Sequence, residues 1–225
     1  MRTIILLLYI LMFSASYSQD TENKIAVDSL FREDQFYVSL SYNLLRNSPN
    51  NYSQYSFSSG VTLGFLRDMP ITKDRNWSIG LGLGYSYNDI KHNLKIIPSS
   101  PNNIYSIDNS YDKSKLILHY AELPIEIRWR NATYTSHKFW RIYTGFKFSY
   151  LFASKSIFES NSESYTINRS NEIVNLQYGP YLSVGYNTVN LYAYYGLKSH
   201  FGDAKIGDKD MRLNSFNVGF IFYIL

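Results

Sequence analysis

The sequence predicts an all-β protein: an eight-stranded antiparallel transmembrane β-barrel with a lumen filled by side chains. Three observations lead there. From Trp77 to Tyr87 every odd position is large and apolar or aromatic, and every even position is Ser or Gly. That is the period of a strand with one greasy face and one small face. The same alternation recurs along a chain with 22 Tyr and 14 Phe, although its mean hydropathy is only −0.25. A barrel wall hides its lipid-facing half in such an average. Finally, no stretch beyond the N-terminus is long and apolar enough for a membrane helix, and a closed barrel is the other structure that satisfies its backbone in lipid.

The elements follow in order. Residues 1–18 read as an export signal: Arg2, an apolar run from Ile4 to Phe13, then small residues to Ser18 before Gln19. The run is shorter than the ~20 residues of a spanning helix, so cleavage after Ser18 is expected. No Cys follows it, which excludes lipoprotein anchoring, a disulfide framework and thiolate metal sites. Residues 19–33 lack strand patterning and read as a periplasmic lead-in, and 34–225 as the barrel.

In the first strand Phe36, Val38, Leu40, Tyr42 and Leu44 oppose Tyr37, Ser39, Ser41 and Asn43. In the second Tyr55, Phe57, Val61, Leu63 and Phe65 oppose Ser56, Ser58, Gly60, Thr62 and Gly64. Trp77–Tyr87 is the third. The fourth, about 115–129, turns Leu123, Ile125, Ile127 and Trp129 to lipid and Glu122, Glu126 and Arg128 to the lumen. Pro124 cannot donate to a ladder, so a bulge or kink is expected near 120–124. The fifth sets Trp140, Ile142, Phe146, Phe148, Tyr150 and Phe152 outward, with Arg141, Tyr143, Gly145, Lys147 and Ser149 inward. The sixth (174–186), seventh (189–197) and eighth (215–224) alternate in the same way, and each supplies the ~9–11 residues of a tilted membrane strand. Outer connections are expected at 46–53, 89–114, 153–172 and 199–212. Inner ones are expected at 67–75, 131–138 and Asn187-Thr188.

No motif for chemistry stands out, and no catalytic, cofactor-binding or metal residue is assigned. Gly80, Gly82 and Gly84 lack the final gap and helix of a phosphate loop. His92, His119, His137 and His200 have no second ligand at metal spacing. His200 with Asp203 could imitate a loop-rim hydrolase, and Asp203, Asp208 and Asp210 lack calcium-loop spacing. A net charge of +4 scattered over loops does not argue for nucleic acid. The one constellation singled out is an inner-face charge network of Glu122, Glu126, Arg128, Arg141 and Lys147. Its charges should pair inside the lumen, because a lipid-facing charge costs ~2–4 kcal/mol at mid-membrane, and the network reads as a salt-bridge plug holding the barrel shut, with an ion path as the alternative. Tyr143, Tyr192 and Tyr194 would share the lumen.

His119-Tyr120-Ala121-Glu122-Leu123-Pro124-Ile125-Glu126 resembles the Y-x-E-[LIF]-P strand of PorT-like outer-membrane barrels. Phe139–Lys147, Gln177–Ser183 and Tyr194–Leu197 look like later strands of that family. Arg32–Tyr37 and Phe65–Pro70 resemble its PorT/SprT branch. The resemblance runs from about residue 29 onward. It implies residence in the cell outer membrane and a non-enzymatic part in type IX protein secretion and gliding motility. The implied partners are lipid and other proteins, with no cofactor. A stand-alone structural or adhesion barrel, a loop-rim enzyme and a small-solute porin are the rival expectations.

Overall fold

The computed structural model describes residues 34–100, 102–131, 139–202 and 204–224. The expected export signal and lead-in lie outside the described residues, as do His137, Asp203 and most of the connection 131–138. Eight long strands form the wall: β1 (Gln35–Arg46), β2 (Ser59–Pro70), β3 (Trp77–Lys91), β4 (Lys113–Arg130), β5 (Trp140–Glu159), β6 (Leu176–Tyr186), β7 (Val189–Ser199) and β8 (Asn214–Ile224). Each pairs antiparallel with its sequence neighbours, and β1 pairs with β8 from Phe36↔Ile224 to Arg46↔Asn214. The sheet therefore closes on itself without an edge.

Alternation dictates which side chains meet which medium. Phe36, Leu40, Leu63, Leu83, Ile127 and Leu191 are half exposed or more on the outside. Tyr37, Tyr143, Tyr181, Tyr192, Tyr194 and Tyr223 are buried inside. Outward rows run from Trp77↔Trp129, through Leu81↔Ile125, to Tyr87↔His119, an apolar band between two aromatic levels.

Several strands outrun their sequence-based bounds. β4 has 18 residues and β5 has 20, well beyond the ~9–11 that lipid requires, so both rise above the bilayer. β2 continues to Pro70, which shrinks the inner turn to 71–76 and carries Asp68 into the wall. The outer connections also hold their own short strands: Leu94–Ile97 pairs with Ile104–Ile107, and Ser164–Asn168 folds back on the end of β5. The two-residue turn Asn187-Thr188 is tight because Asn187 takes a φ of 56°, a conformation that Asn tolerates in hairpins.

The irregularity expected near 120–124 is present, with its register shift at the start of that stretch. The ladder with β5 runs unbroken through Pro124↔Lys147, and the register shift falls between His119 and Tyr120, with Phe152 of β5 as the extra residue. The proline acts on its other side, where the β3–β4 pairing skips from Leu81↔Ile125 to Gly84↔Glu122.

Two buried clusters stack along the barrel axis. The tyrosine-rich cluster lies at the level of the membrane, with Tyr37, Leu66, Tyr143, Tyr181 and Tyr223 among its members. Above it, the extensions of β3, β4 and β5 pack Ile90, Leu116, Leu118 and Leu151 against loop residues Leu94, Ile96, Phe201, Met211 and Leu213. This second cluster is a cap with the apolar core of a soluble domain, built on the outer end.

Candidate functional site

Two carboxylates of the lumen, Asp68 and Glu126, sit on one continuous register row. Asp68 of β2 pairs with Gly80 of β3, Gly80 with Glu126 of β4, Glu126 with Gly145 of β5, and Gly145 with Tyr181 of β6. Acids and glycines alternate, so long side chains can reach across the glycine positions. Arg128, one inward position further along β4, lies over Gly80, where a Cβ would stand 2.7 Å from its Nε. Tyr181 lies over Gly145 in the same way, 2.9 Å from a Cβ there.

The contacts follow. Arg128 Nε meets Glu126 Oε2 at 2.6 Å, and its Nη1 meets Asp68 Oδ1 at 3.1 Å. Arg130 Nη1 meets Asp68 Oδ2 at 2.9 Å, and Ser78 Oγ donates to Asp68 Oδ1 at 2.6 Å. Tyr181 and Tyr223 donate to Glu126 Oε1 at 2.7 and 3.3 Å. The Arg128 guanidinium also lies 4.8 Å from the Tyr143 ring centroid, close enough for a cation–π contact. Toward the outer end, Lys147 Nζ pairs with Glu122 Oε1 at 3.0 Å, donates to the Tyr192 hydroxyl at 3.2 Å and sits 4.6 Å from the Tyr194 ring.

Burial makes these pairs consequential. Asp68, Glu126, Arg128 and Arg130 are each at most 1% exposed, and removing one partner of such a pair strands a charge away from water. Among the residues singled out in the sequence, Glu126 joins Arg128 and Glu122 joins Lys147, while Arg141 lies near the inner end with its guanidinium over the Phe139 ring at 4.5 Å. Sequence reasoning missed Asp68, Arg130, Ser78, Tyr181 and Tyr223. The signal for Asp68 is its parity, which continues that of Gly60, Thr62 and Gly64 into a stretch that otherwise reads as a turn.

The glycine positions are testable. Gly145→Val would push a side chain into the Tyr181 ring and the Ile125 carbonyl. A loss of about 1–3 kcal/mol is expected, read as a lower urea midpoint for the barrel folded in detergent. An unchanged midpoint would show that Tyr181 has room to leave.

His200 Nε2 is 2.6 Å from Ser215 Oγ and its Nδ1 is 3.2 Å from the Tyr120 hydroxyl. The neighbouring cavity of about 30 Å³ accommodates a water or two. Asp210 is 4.0 Å from Lys205 on the exposed surface, and no metal-ligating group of three is found among the described residues. His119 faces outward, 2.7 Å from the Tyr85 hydroxyl.

His92 and His200 are both buried in the cap, and desolvation pushes each from 6.5 down to about 4. The unfolded cap then binds more protons than the folded one between these values, so stability falls as pH drops from about 6.5 to about 4 and levels off below. Each histidine accounts for up to about 3 kcal/mol. Proteolysis of the outer loops should accelerate over that pH window in intact barrels and lose most of this dependence in His92→Gln/His200→Gln.

A family described as "Outer membrane protein beta-barrel domain" matches residues 17–202. No curated protein matches the chain. Among solved structures, Ail, the attachment invasion locus protein of Yersinia pestis, in complex with the heparin analogue sucrose octasulfate, is 12% identical, with 86% of this chain and 99% of that chain covered at a TM-score of 0.37. A second structure of Ail is 11% identical, with 85% and 97% covered at a TM-score of 0.35.

Proposed function

The chain belongs to the outer-membrane β-barrel domain family, and from that premise we propose that it is a non-enzymatic component of a type IX protein secretion machinery, acting by protein contacts and not as the conduit. It resides in the outer membrane. What supports the reading is the row Asp68–Gly80–Glu126–Gly145–Tyr181, bridged by Arg128, and the apolar cap above it, which we take together as an obstruction of the barrel axis. An eight-stranded barrel is only wide enough for side chains to fill, so work on exported proteins falls to the loops, the inner end and the outer wall. The strand that resembles the PorT-like pattern, Tyr120–Glu126, also supplies Glu122 and Glu126 to the lumen, which ties the resemblance to the obstruction. Chemistry at the His200–Ser215 pair is disfavoured because the adjoining cavity has no room for a substrate.

Deletion of the gene with complementation tests the reading. Loss of many exported proteins and of surface gliding, restored by the intact gene, is the expected result. Normal secretion would sink it and transfer attention to a stand-alone structural or adhesion role of the outer loops.

A further inference from the structure

A cleft of about 320 Å³ opens on the outside of the wall where β3 and β4 leave the bilayer, lined by Tyr55, Lys91, Tyr111, Asp112, Lys113 and Lys115 with two serines. Its depth follows from register. Trp77 and Tyr87 mark the two aromatic levels of β3, ten residues apart. At ~3.3 Å per residue and a tilt of ~40°, that is about 25 Å of height. Lys91, paired with Lys115, stands four residues further out, roughly 10 Å above the aromatic level and at the height of lipid headgroups. The longer connections gather at this end, which makes it the outer face.

The cations are not all committed. Lys115 pairs with Asp89 at 3.2 Å, with both side chains at or below 20% exposure. Lys113 pairs with Glu159 at 3.1 Å, but both side chains are more than 40% exposed, so the pair is worth little and a better anion displaces it. Lys91, and Lys155 placed outward by its pairing with Ile117, have no carboxylate partner among the described residues. On the opposite wall the outward rows at the outer end are Tyr42↔Val218, Leu44↔Phe216 and Arg46↔Asn214, with Arg46 as the single cation of these rows. The Tyr55 and Tyr111 rings flank the cleft with centroids 6.3 Å apart. The Tyr55 hydroxyl donates to Asn109 at 3.0 Å, while Tyr55 remains 61% exposed, which leaves its ring face for a ligand.

We propose that this cleft holds the phosphorylated sugar headgroup of an outer-leaflet glycolipid. Lys91 and Lys113 take the phosphate as point-charge donors, the tyrosine rings face the sugar, and the acyl chains continue down the apolar wall past Tyr87 and Leu83. Asp112 and Asp89 disfavour a polyanion of high charge density and fit a ligand with one or two phosphates beside neutral sugar.

The test uses the full chain folded into phosphatidylcholine nanodiscs with and without lipid A. Bound lipid A is counted by native mass spectrometry, and folding is checked by the gel shift between unheated and heated samples. The intact protein should retain lipid A, and Lys91→Gln/Lys113→Gln should lower retention about thirtyfold, the equivalent of roughly 1 kcal/mol per lysine. Lys73→Gln, on an inner turn, should change nothing. Equal retention by the double variant would overturn the proposal. So would release of the lipid by millimolar inorganic phosphate, which would make the cleft a site for free phosphate.

Discussion

Asp68→Ala should be the most damaging single substitution in the wall, costing about 3–5 kcal/mol. Asp68 is fully buried and takes Arg128 on one oxygen and Arg130 on the other, with Ser78 donating to the first. Truncation removes the anion that two buried guanidinium groups share. Arg128 keeps Glu126, so part of the charge balance survives and the barrel should still fold. Asp68→Asn keeps the shape and an acceptor for Ser78, and should fall between the native chain and Asp68→Ala. Urea unfolding of the barrel in bilayers, followed by the gel shift, provides the measurement. Asp210→Ala, at an exposed and weakly paired position, should stay within about 0.5 kcal/mol. A loss below about 1 kcal/mol for Asp68→Ala would mean that water or neighbouring acids replace the carboxylate, and the row would then be packing and not an electrostatic lock.

Leu83→Arg should cost about 2–4 kcal/mol in a bilayer. Leu83 is 69% exposed and lies halfway between the Trp77 and Tyr87 levels. On a soluble sandwich the same exposure would make the substitution nearly neutral. The cost should shrink when the charge is moved toward either aromatic level, as in Ile79→Arg or Tyr87→Arg, because the long side chain then reaches the interface. A flat profile along 79, 83 and 87 would contradict the lipid-facing wall on β3.

Both substitutions probe faces whose direction is legible in the alternation of residues. Leu83 and Glu126 point to opposite media because parity is a local property of the chain, and a single misplacement would have inverted a whole strand. The error at Asp68 is one of length: the greasy alternation ends at Phe65, while the backbone goes on pairing through Pro70↔Ser78. The cap is not legible in this way. Leu94, Ile96, Met211 and Leu213 lie in segments without sustained alternation, and they become a core only because β3, β4 and β5 extend far enough to be covered by them. The family-like strand is legible as a motif, and its irregularity falls where the sequence places it, as a bulge at His119–Tyr120 against β5 and a break across Pro124 against β3.

By itself, then, the sequence determined that eight strands exist, which face of each meets lipid, and that Glu122, Glu126, Arg128, Arg141 and Lys147 turn inward. A period of two needs no distant partner to be read. Tertiary structure alone decided which charges meet. Asp68 and Arg128 are separated by 60 positions, and they touch because the pairing of β2, β3 and β4 sets Asp68, Gly80 and Glu126 on one row and the missing side chain of Gly80 lets Arg128 cross it. Direction is written in neighbouring residues, whereas partnership depends on the register among strands and on the empty positions that register aligns.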